Sequence, residues 1–413
     1  MKSVSIIGLG YVGLPSAAVI ADVGYKTLGV DINPEIVKTI NQGNIHILEP
    51  GLEQIVKRAV KTNSLEAFVN VQVADVHLLC VPTPFNRINK KPNIDCVINA
   101  INSLSNVLMP GNLIIIESTC PVGTTEKILK LLNKLRQDLV PNPKNISDAS
   151  INIAYCPERI LPGNVIYELV HNSRVIGGMS EECSEKAKLF YSSFVKGNLV
   201  LASNSRTAEL AKLSENAFRD LNIAFANELS NIAKKLNINA TELTNICNLH
   251  PRVNILQHGV GVGGHCIAVD PWFIVNAAPE EAKLIQLARQ VNDNQPEVVC
   301  KKIVGEIHKL RRNDIKKNLS VKFYGMTYKP DIDDLRESPA LNVITRLINE
   351  LNDIDIYITD PHVEFLPPEL KGCKKIELDE KNDASLHVML VKHTLFQFVK
   401  APEKYIDMTG LWN

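Results

Sequence analysis

The chain is short of the features that mark secreted, metal-knuckle and membrane proteins. Its nine cysteines, at positions 80, 96, 120, 156, 183, 247, 266, 300 and 373, are odd in number and never spaced as C-x-x-C. That argues against a disulfide framework and a zinc knuckle and suits a reducing, cytoplasmic setting. No run of 18 apolar residues occurs, and the apolar start at Val4 meets Gly8, Gly10 and Gly13 at once. Neither a membrane span nor a signal peptide is expected. Excess charge of one sign is missing too, since 45 Lys and Arg face 45 Asp and Glu. A coat for nucleic acid or anionic lipid needs a positive field that this balance does not supply, although local basic sites remain open.

What is present is length. The 413 residues, 45% of them hydrophobic, suffice for two or three domains with their own cores. Short apolar runs alternate with helical patterns from the start: Val4 to Leu9, Thr27 to Val30, Val76 to Val81, Leu113 to Glu117, Asn152 to Cys156 and Arg174 to Ile176. This is the rhythm of βαβ units, and continuous runs such as Leu113-Ile114-Ile115-Ile116 read as parallel strands buried on both faces. From Asn204 to Lys235 no Pro or Gly intervenes and Leu210, Leu213, Ala217, Leu221, Ala224 and Leu229 recur at helical spacing. One long helix is predicted there, a second from Ala282 to Ile307, and a polar linker over Lys309 to Asn318.

The last 95 or so residues resume the opening rhythm, with strands over Val321 to Gly325, Asp355 to Thr359, His387 to Val391 and Tyr405 to Met408. An internal echo is visible, because Asp31 and Asp360 each end a strand at the same stage of the pattern. The expected fold is α/β: two Rossmann-like parallel-sheet lobes joined by a helical central domain, with boundaries at 1–198, 199–308 and 309–413.

Gly8-Leu9-Gly10-Tyr11-Val12-Gly13 follows a predicted strand and opens a predicted helix, and Asp31 closes the next strand. Gly8 permits the tight turn, Gly10 lets amides approach a pyrophosphate, and Gly13 allows close packing of helix on strand. Asp31 can accept hydrogen bonds from ribose hydroxyls and would repel a 2′-phosphate, which selects NAD over NADP; its bland alternative is a helix N-cap. Thr83 and Thr119 close later strands at the same sheet edge and are candidate contacts or plain caps.

Three further clusters can carry chemistry. Lys212 and Asn216 stand four apart on the predicted long helix, where they either hold a substrate oxygen jointly or belong to a solvated face. Gly263 and Gly264 end a glycine-dense loop, followed by His265, Cys266 and, four residues on, Asp270. Glycine there lets backbone approach a ligand, and a cysteine beside a carboxylate is a candidate nucleophile, although an isolated cysteine is more often core. His265 either orients the thiol or packs. Cys156-Pro157-Glu158-Arg159 puts a carboxylate just after a strand.

Together with Lys329-Pro330-Asp331-Ile332-Asp333-Asp334-Leu335-Arg336-Glu337-Ser338, these motifs resemble the nucleotide-sugar 6-dehydrogenases, the UDP-glucose/GDP-mannose dehydrogenase family. The likeness spans essentially the whole chain. Longer stretches, Asn152 to Gly163, Ser205 to Ser230 and His250 to Phe273, are similar to the branch acting on UDP-N-acetyl-D-mannosamine. The UDP-glucose branch usually has Pro-Lys-Asp after its cysteine, whereas Ala268-Val269-Asp270 keeps only the carboxylate.

The resemblance implies a twofold NAD-dependent oxidation of the sugar C6 alcohol to a carboxylate, with a UDP-N-acetylhexosamine as substrate and a bacterial surface polysaccharide as the product's destination. It implies Cys266 as the nucleophile, Lys212 and Asn216 on the oxyanions, and Asp270, Glu158 and Thr119 in water and proton transfers. Cofactor contacts fall to Gly8, Gly10, Tyr11, Val12, Gly13, Asp31, Thr83, Thr119 and Arg336. Substrate contacts fall to Glu158, Arg159, Lys212, Asn216, Gly263, Gly264 and Lys329, with Arg252 reaching the phosphates of a neighbouring subunit in a homodimer built on the central helices. No metal, nucleic acid or membrane is implied. Alternatives are a UDP-N-acetylglucosamine or UDP-glucose 6-dehydrogenase, a single-step β-hydroxyacid dehydrogenase, and a non-catalytic NAD-binding regulator. Cys120, beside Thr119, is a rival nucleophile.

Overall fold

Four consecutive residues show how the first sheet is built. Leu113 and Ile115 pack into one core with Val4, Ile6 and Leu78, while Ile114 and Ile116 pack into a second with Ile7, Leu79 and Ile153. Side chains alternate across a strand, so a run of four apolar residues is what a strand with a core on each face requires. Truncating any of them to alanine costs about 2–5 kcal/mol. The computed structural model describes residues 3–86, 89–142, 149–161, 163–264, 266–313, 319–351, 353–380 and 383–412. His265 and the 314–318 part of the expected linker lie outside the described residues. The chain divides into two compact units, Met1–Ser214 and Glu215–Asn413.

The first unit holds β1 (Ser3–Ile7), α1 (Gly13–Asp22), β2 (Lys26–Val30), α2 (Pro34–Asn41), α3 (Leu52–Lys61), β3 (Leu65–Phe68), β4 (Val76–Leu79), α4 (Asp95–Ser105), β5 (Leu113–Ile116), α5 (Thr124–Leu135), β6 (Asn152–Tyr155), α6 (Val165–His171), β7 (Arg174–Gly178), α7 (Glu181–Tyr191) and β8 (Leu199–Leu201). They form one eight-stranded sheet in the order β3-β2-β1-β4-β5-β6-β7-β8. The strand order reverses between β1 and β4, and ligands of such sheets bind in the crevice at that reversal. Two strands depart from the all-parallel expectation: β7 runs antiparallel to β6, with Ala154 opposite Gly178, and β8 pairs parallel with β7 and so is reversed with it. Burial on both faces does not by itself fix a strand's direction. β3 and β8 were not predicted, because β3 is an alternately exposed strand and β8 has three residues, none of them buried.

Helix α8 (Ser205–Lys235) begins in the first unit and continues into the second, as the uninterrupted helical spacing predicts. Its start is fixed by Asn204, whose side chain accepts the Thr207 N–H at 2.9 Å. The second unit adds α9 (Ala240–Cys247), α10 (Asp270–Ala277), α11 (Lys283–Asn313), β9 (Ser320–Tyr324), α12 (Pro339–Glu350), β10 (Asp355–Thr359), β11 (Lys374–Lys375), β12 (Leu386–Met389) and β13 (Tyr405–Asp407). The expected linker from Lys309 is corrected at its start, since α11 runs on to Asn313. A basic stretch of good helix formers does not break a helix. The second sheet is parallel throughout, in the order β11-β10-β9-β12-β13.

The sequence echo is a structural repeat. Gly8 leaves β1 with φ +93°, donates its N–H to Val30 O at 2.8 Å, and Leu9 N–H reaches Asp31 Oδ2 at 3.0 Å. Gly325 leaves β9 with φ +83°, donates to Thr359 O at 2.9 Å, and Met326 N–H reaches Asp360 Oδ2 at 2.7 Å. In both sheets a glycine in the left-handed region turns the chain, and the carboxylate ending the next strand catches the following amide. Among the described residues no helix is long and apolar enough to cross a membrane.

Candidate active site

At the carboxyl edge of the first sheet, the three glycines of the opening motif meet three different surroundings. A Cβ on Gly8 would stand 2.7 Å from Cys80 O, and one on Gly13 would stand 1.8 Å from Gly8 O. Both positions are closed by the protein's own backbone. Gly10, in contrast, has nothing within 4 Å of where its Cβ would be. That open space in front of the amino end of α1 fits a pyrophosphate held by backbone amides, so the residues present fit a dinucleotide. Tyr11 is exposed and Val12 half-buried beside it.

Asp31 accepts the N–H of Leu9 and, at 2.9 Å, that of Asn33. The N-cap of α2 is Asn33, whose side chain accepts the Glu35 N–H, so the cap alternative for Asp31 does not hold. Ile32, beside it, is 90% exposed. Sequence reasoning passed over Ile32, although an apolar residue directly after the strand-ending acid was the available signal. Thr83 donates its hydroxyl to Thr119 O at 2.5 Å, which ties the ends of β4 and β5 together. Cys120 is fully buried, which removes it as a rival nucleophile, since a thiol must reach its substrate. Burial also pushes the thiols of Cys156, Cys300 and Cys373 up to about 11.

Lys212 is 7% exposed on α8 and donates Nζ–H bonds to Glu158 O at 2.7 Å and Glu158 Oε2 at 3.0 Å. A solvated helix face is thereby excluded. Glu158 stands just after β6, and Arg159 beside it donates to Ser173 O at 3.1 Å. One residue that sequence reasoning missed governs this corner: Glu209, three residues before Lys212, is fully buried and accepts the N–H of Gly123 and of Thr125.

In the second unit, Asn216 on α8 donates Nδ2–H to Asp270 Oδ2 at 2.6 Å, and both side chains are buried. Asp270 opens α10, and its N–H and that of Val269 go to Cys266 O at 2.8 and 3.0 Å. Cys266, half-buried, is thus fixed at the entry of a helix whose first carboxylate is Asp270. The glycines before it have a reason other than the expected one. A Cβ on Gly263 would lie 2.6 Å from Glu337 O and from Tyr328 Cβ, and Gly264 donates its N–H to Arg336 O at 3.2 Å. Their nearest partner is the 328–337 segment of the protein itself.

That segment carries Lys329 and Arg336, and a polar network pins it. Asp331, with φ +59°, donates its N–H to His393 Nδ1 at 3.0 Å and accepts the N–H and hydroxyl of Thr394 at 2.8 and 2.6 Å. The other His393 nitrogen faces Asp360 Oδ2 at 3.3 Å. Burial alone would raise the Asp360 carboxyl, but the hydrogen bonds it accepts from His393 and from the backbone of Met326 and His362 hold the group below its ordinary value. The Arg336 guanidinium bonds Asp334 at 2.6–3.0 Å. Arg252 is exposed on the loop after α9.

Three family profiles match consecutive parts of the chain. The UDP-glucose/GDP-mannose dehydrogenase family NAD binding domain covers residues 2–195, its central domain 206–294 and its UDP binding domain 322–411. The chain is 49% identical over 402 residues to a UDP-N-acetyl-D-mannosamine dehydrogenase of Campylobacter jejuni, covering 96% of each. It is 43% identical over 417 residues to an NDP-N-acetyl-D-galactosaminuronic acid dehydrogenase of Ralstonia nicotianae, covering 100% of this chain and 96% of that one. The fold is similar to that of a solved UDP-D-ManNAc dehydrogenase from Pyrococcus horikoshii, with a TM-score of 0.85 at 33% identity over 99% of this chain and 96% of that one.

The glycine geometry generates a paired test by thermal denaturation and NAD titration. Gly13→Ala, which drives a methyl into Gly8 O, is expected to lower the melting temperature by several degrees and to lose NAD binding. Gly10→Ala is expected to leave melting unchanged and weaken NAD binding alone. Equal melting losses in both would contradict the assignment of the open space to the ligand.

Proposed function

The chain belongs to the UDP-glucose/GDP-mannose dehydrogenase family, and on that premise we propose that it oxidises C6 of UDP-N-acetyl-D-mannosamine to the uronate with NAD. The observation that carries this reading is the combination of an accessible cysteine with two buried polar pairs, Lys212 with Glu158 and Asn216 with Asp270. A binding protein has no need to keep an ammonium and two carboxylates out of water, where each costs several kcal/mol unless paired. A single-step hydroxyacid dehydrogenase has no need of Cys266.

The dinucleotide would be held by the amides of residues 10–13 and by Asp31, with Tyr11, Val12, Thr83 and Thr119 at the same sheet edge and the apolar face of Ile32 for the adenine; Arg336 is assigned to it by the family resemblance. Bound there, NAD supplies a hydride acceptor. The C6 hydroxyl loses a proton and a hydride to become an aldehyde. The Cys266 thiolate adds to the aldehyde carbon, forming a C–S bond and an oxyanion, and protonation of that oxyanion gives a thiohemiacetal. Loss of a second hydride and a proton leaves a thioester. Water adds to it, the C–S bond breaks, and the uronate leaves with the thiol restored. In sum, one alcohol, one water and two NAD give one carboxylate, two NADH and three protons.

Lys212 and Asn216, one turn apart on α8, serve as the donors for the oxyanions, because preorganised donors in a dry setting stabilise charge that develops in the transition state. Glu158, Asp270 and Thr119 take the water and proton transfers. Arg159, Arg252 and Lys329 bind the nucleotide sugar, with Lys329 and Arg252 directed to its diphosphate. The three parts keep distinct duties: 1–198 for the cofactor, 199–308 for the catalytic helix and 309–413 for the UDP moiety.

A homodimer is supported by α8 itself, which leaves Phe218, Phe225 and Ile232 exposed at seven-residue spacing, the pattern of a stripe covered by a partner. A reducing, cytoplasmic setting is supported by the need for a free thiol. The Ralstonia relative favours an N-acetylgalactosamine configuration as the second reading.

Purified protein with NAD and UDP-N-acetyl-D-mannosamine is expected to yield two NADH per uronate. Release of aldehyde after one NADH, or preference for the N-acetylgalactosamine, N-acetylglucosamine or glucose analogue, would overturn the mechanism or the substrate respectively. Cys266→Ala is expected to abolish uronate formation, while Cys120→Ala retains it. Sedimentation of the same preparation is expected to give a dimer that Phe225→Asp dissociates; a monomeric wild type would remove that reading.

A further inference from the structure

Among the helix N-termini at the carboxyl edge of the first sheet, those of α1 and α5 are used in opposite ways. At α1 the amides face the open space in front of Gly10. At α5 they are already occupied by a side chain of the protein. Glu209, fully buried, accepts the N–H of Gly123 at 2.5 Å, the N–H of Thr125 at 2.8 Å and the hydroxyl of Thr125 at 2.7 Å. Gly123 is the N-cap of α5 and Thr125 its second residue. The carboxylate therefore satisfies amides that no helical carbonyl can reach and sits at the positive end of the helix dipole.

A serine, threonine or aspartate within the chain's own capping position satisfies such amides with far less desolvation. Here the cap comes from a different helix. Glu209 lies 84 residues from Thr125, and one turn beyond it on α8 stands Lys212. The residues it holds, Gly123 and Thr125, follow Thr119 by four and six positions, and the Thr119 carbonyl accepts the Thr83 hydroxyl. The bonds thus join the helix carrying Lys212 to the start of α5, one short loop away from Thr119. Two neighbouring contacts act in the same sense. Arg206 pairs with Glu126 at 2.7 Å, and a Cβ on Gly177 would stand 2.5 Å from Asn204 O, so the start of α8 lies directly on the end of β7. The Arg206 pair is exposed, and such pairs contribute little.

We propose that Glu209 is a positioning residue for the oxidation: its carboxylate, seated on the N-terminus of α5, fixes the register of α8 and so the place of the Lys212 ammonium relative to Thr119. The proposal rests on the catalytic reading of Lys212 and Thr119. Misplacement of a catalytic group by about an ångström costs about 100-fold in rate, so loosening this clamp acts on kcat. The dinucleotide is held at α1 and at the ends of β4 and β5, which stay tied by the Thr83–Thr119 bond whether or not α8 shifts, so its affinity does not depend on the clamp.

Glu209→Gln tests it, since the amide keeps one accepting oxygen but turns an N–H toward an amide donor. Its kcat is expected to fall about 10- to 100-fold with KM for NAD unchanged. A stability control, Leu132→Ala, truncates a buried α5 side chain, leaves the three Glu209 bonds in place and is expected to lower melting while keeping kcat. Should Glu209→Gln not fold, Thr125→Val removes one of the three bonds and is expected to lower kcat in the same direction with KM for NAD again unchanged. A readout without substrate is the rate at which an amine-specific acylating reagent labels Lys212, read by peptide mass; it is expected to rise at least about threefold in the Glu209 variant and not in the Leu132 control. Unchanged kcat and unchanged labelling in a folded variant would overturn the clamp. Wild-type protein that forms no NADH from any UDP-sugar would overturn the functional reading instead, and the labelling comparison alone would then decide the clamp.

Discussion

A lysine ammonium kept out of water is the constraint around which the first unit is arranged. Nζ of Lys212 is accepted by both the carboxylate and the carbonyl of Glu158. Removing either charge would strand the other, at a cost of several kcal/mol. The pair therefore requires that the chain leaving β6 meet α8 at one place and no other. The remaining contacts of that corner serve this requirement: Asn204 sets where α8 begins, Gly177 lets it lie on the sheet, and Glu209 ties it to α5. The residue one turn beyond Lys212 is Asn216, which donates to Asp270 within the second unit.

The second constraint is repeated in each sheet. Asp31 and Asp360 both hold the amide that follows a left-handed glycine at the end of a central strand. The two lobes use the repeat differently. In the first, the space before Gly10 is open and the acid is partly exposed, as a ribose partner must be. In the second, Asp360 is buried and faces His393, and the network extends to Asp331 and Thr394. The repeated acid has there become a brace for the segment bearing Lys329 and Arg336. One repeated turn thus supplies a binding edge in one lobe and a rigid support in the other.

Much of this was legible in the chain. The glycine motif, the paired positions 212 and 216 and the four-residue apolar run each reported a local rule that the fold obeys, because turn, helix face and double-sided burial are set by neighbours in sequence. What escaped prediction depends on partners far away. Glu209 reads as one more acid on a polar helix until the amides of Gly123 and Thr125 are seen against it. Gly263 and Gly264 suggest a ligand, yet their nearest partner is the 328–337 segment. Cys120 shared the sheet edge with Thr119 and lost its standing as nucleophile only through burial. The short strands β3, β8 and β11 escaped because a few residues at a sheet margin carry too little pattern, and the reversal of β7 and β8 because burial does not fix a strand's direction.

The central claim is that an aldehyde is retained on Cys266 until it has been oxidised a second time. Acid quenching during turnover with NAD and UDP-N-acetyl-D-mannosamine, followed by peptide mass mapping, addresses it directly. The account predicts that the peptide containing Cys266 carries the mass of the sugar nucleotide as a thioester and that the adduct disappears when substrate is exhausted. Steady formation of uronate with no adduct on Cys266, or with the adduct on another cysteine, would contradict it.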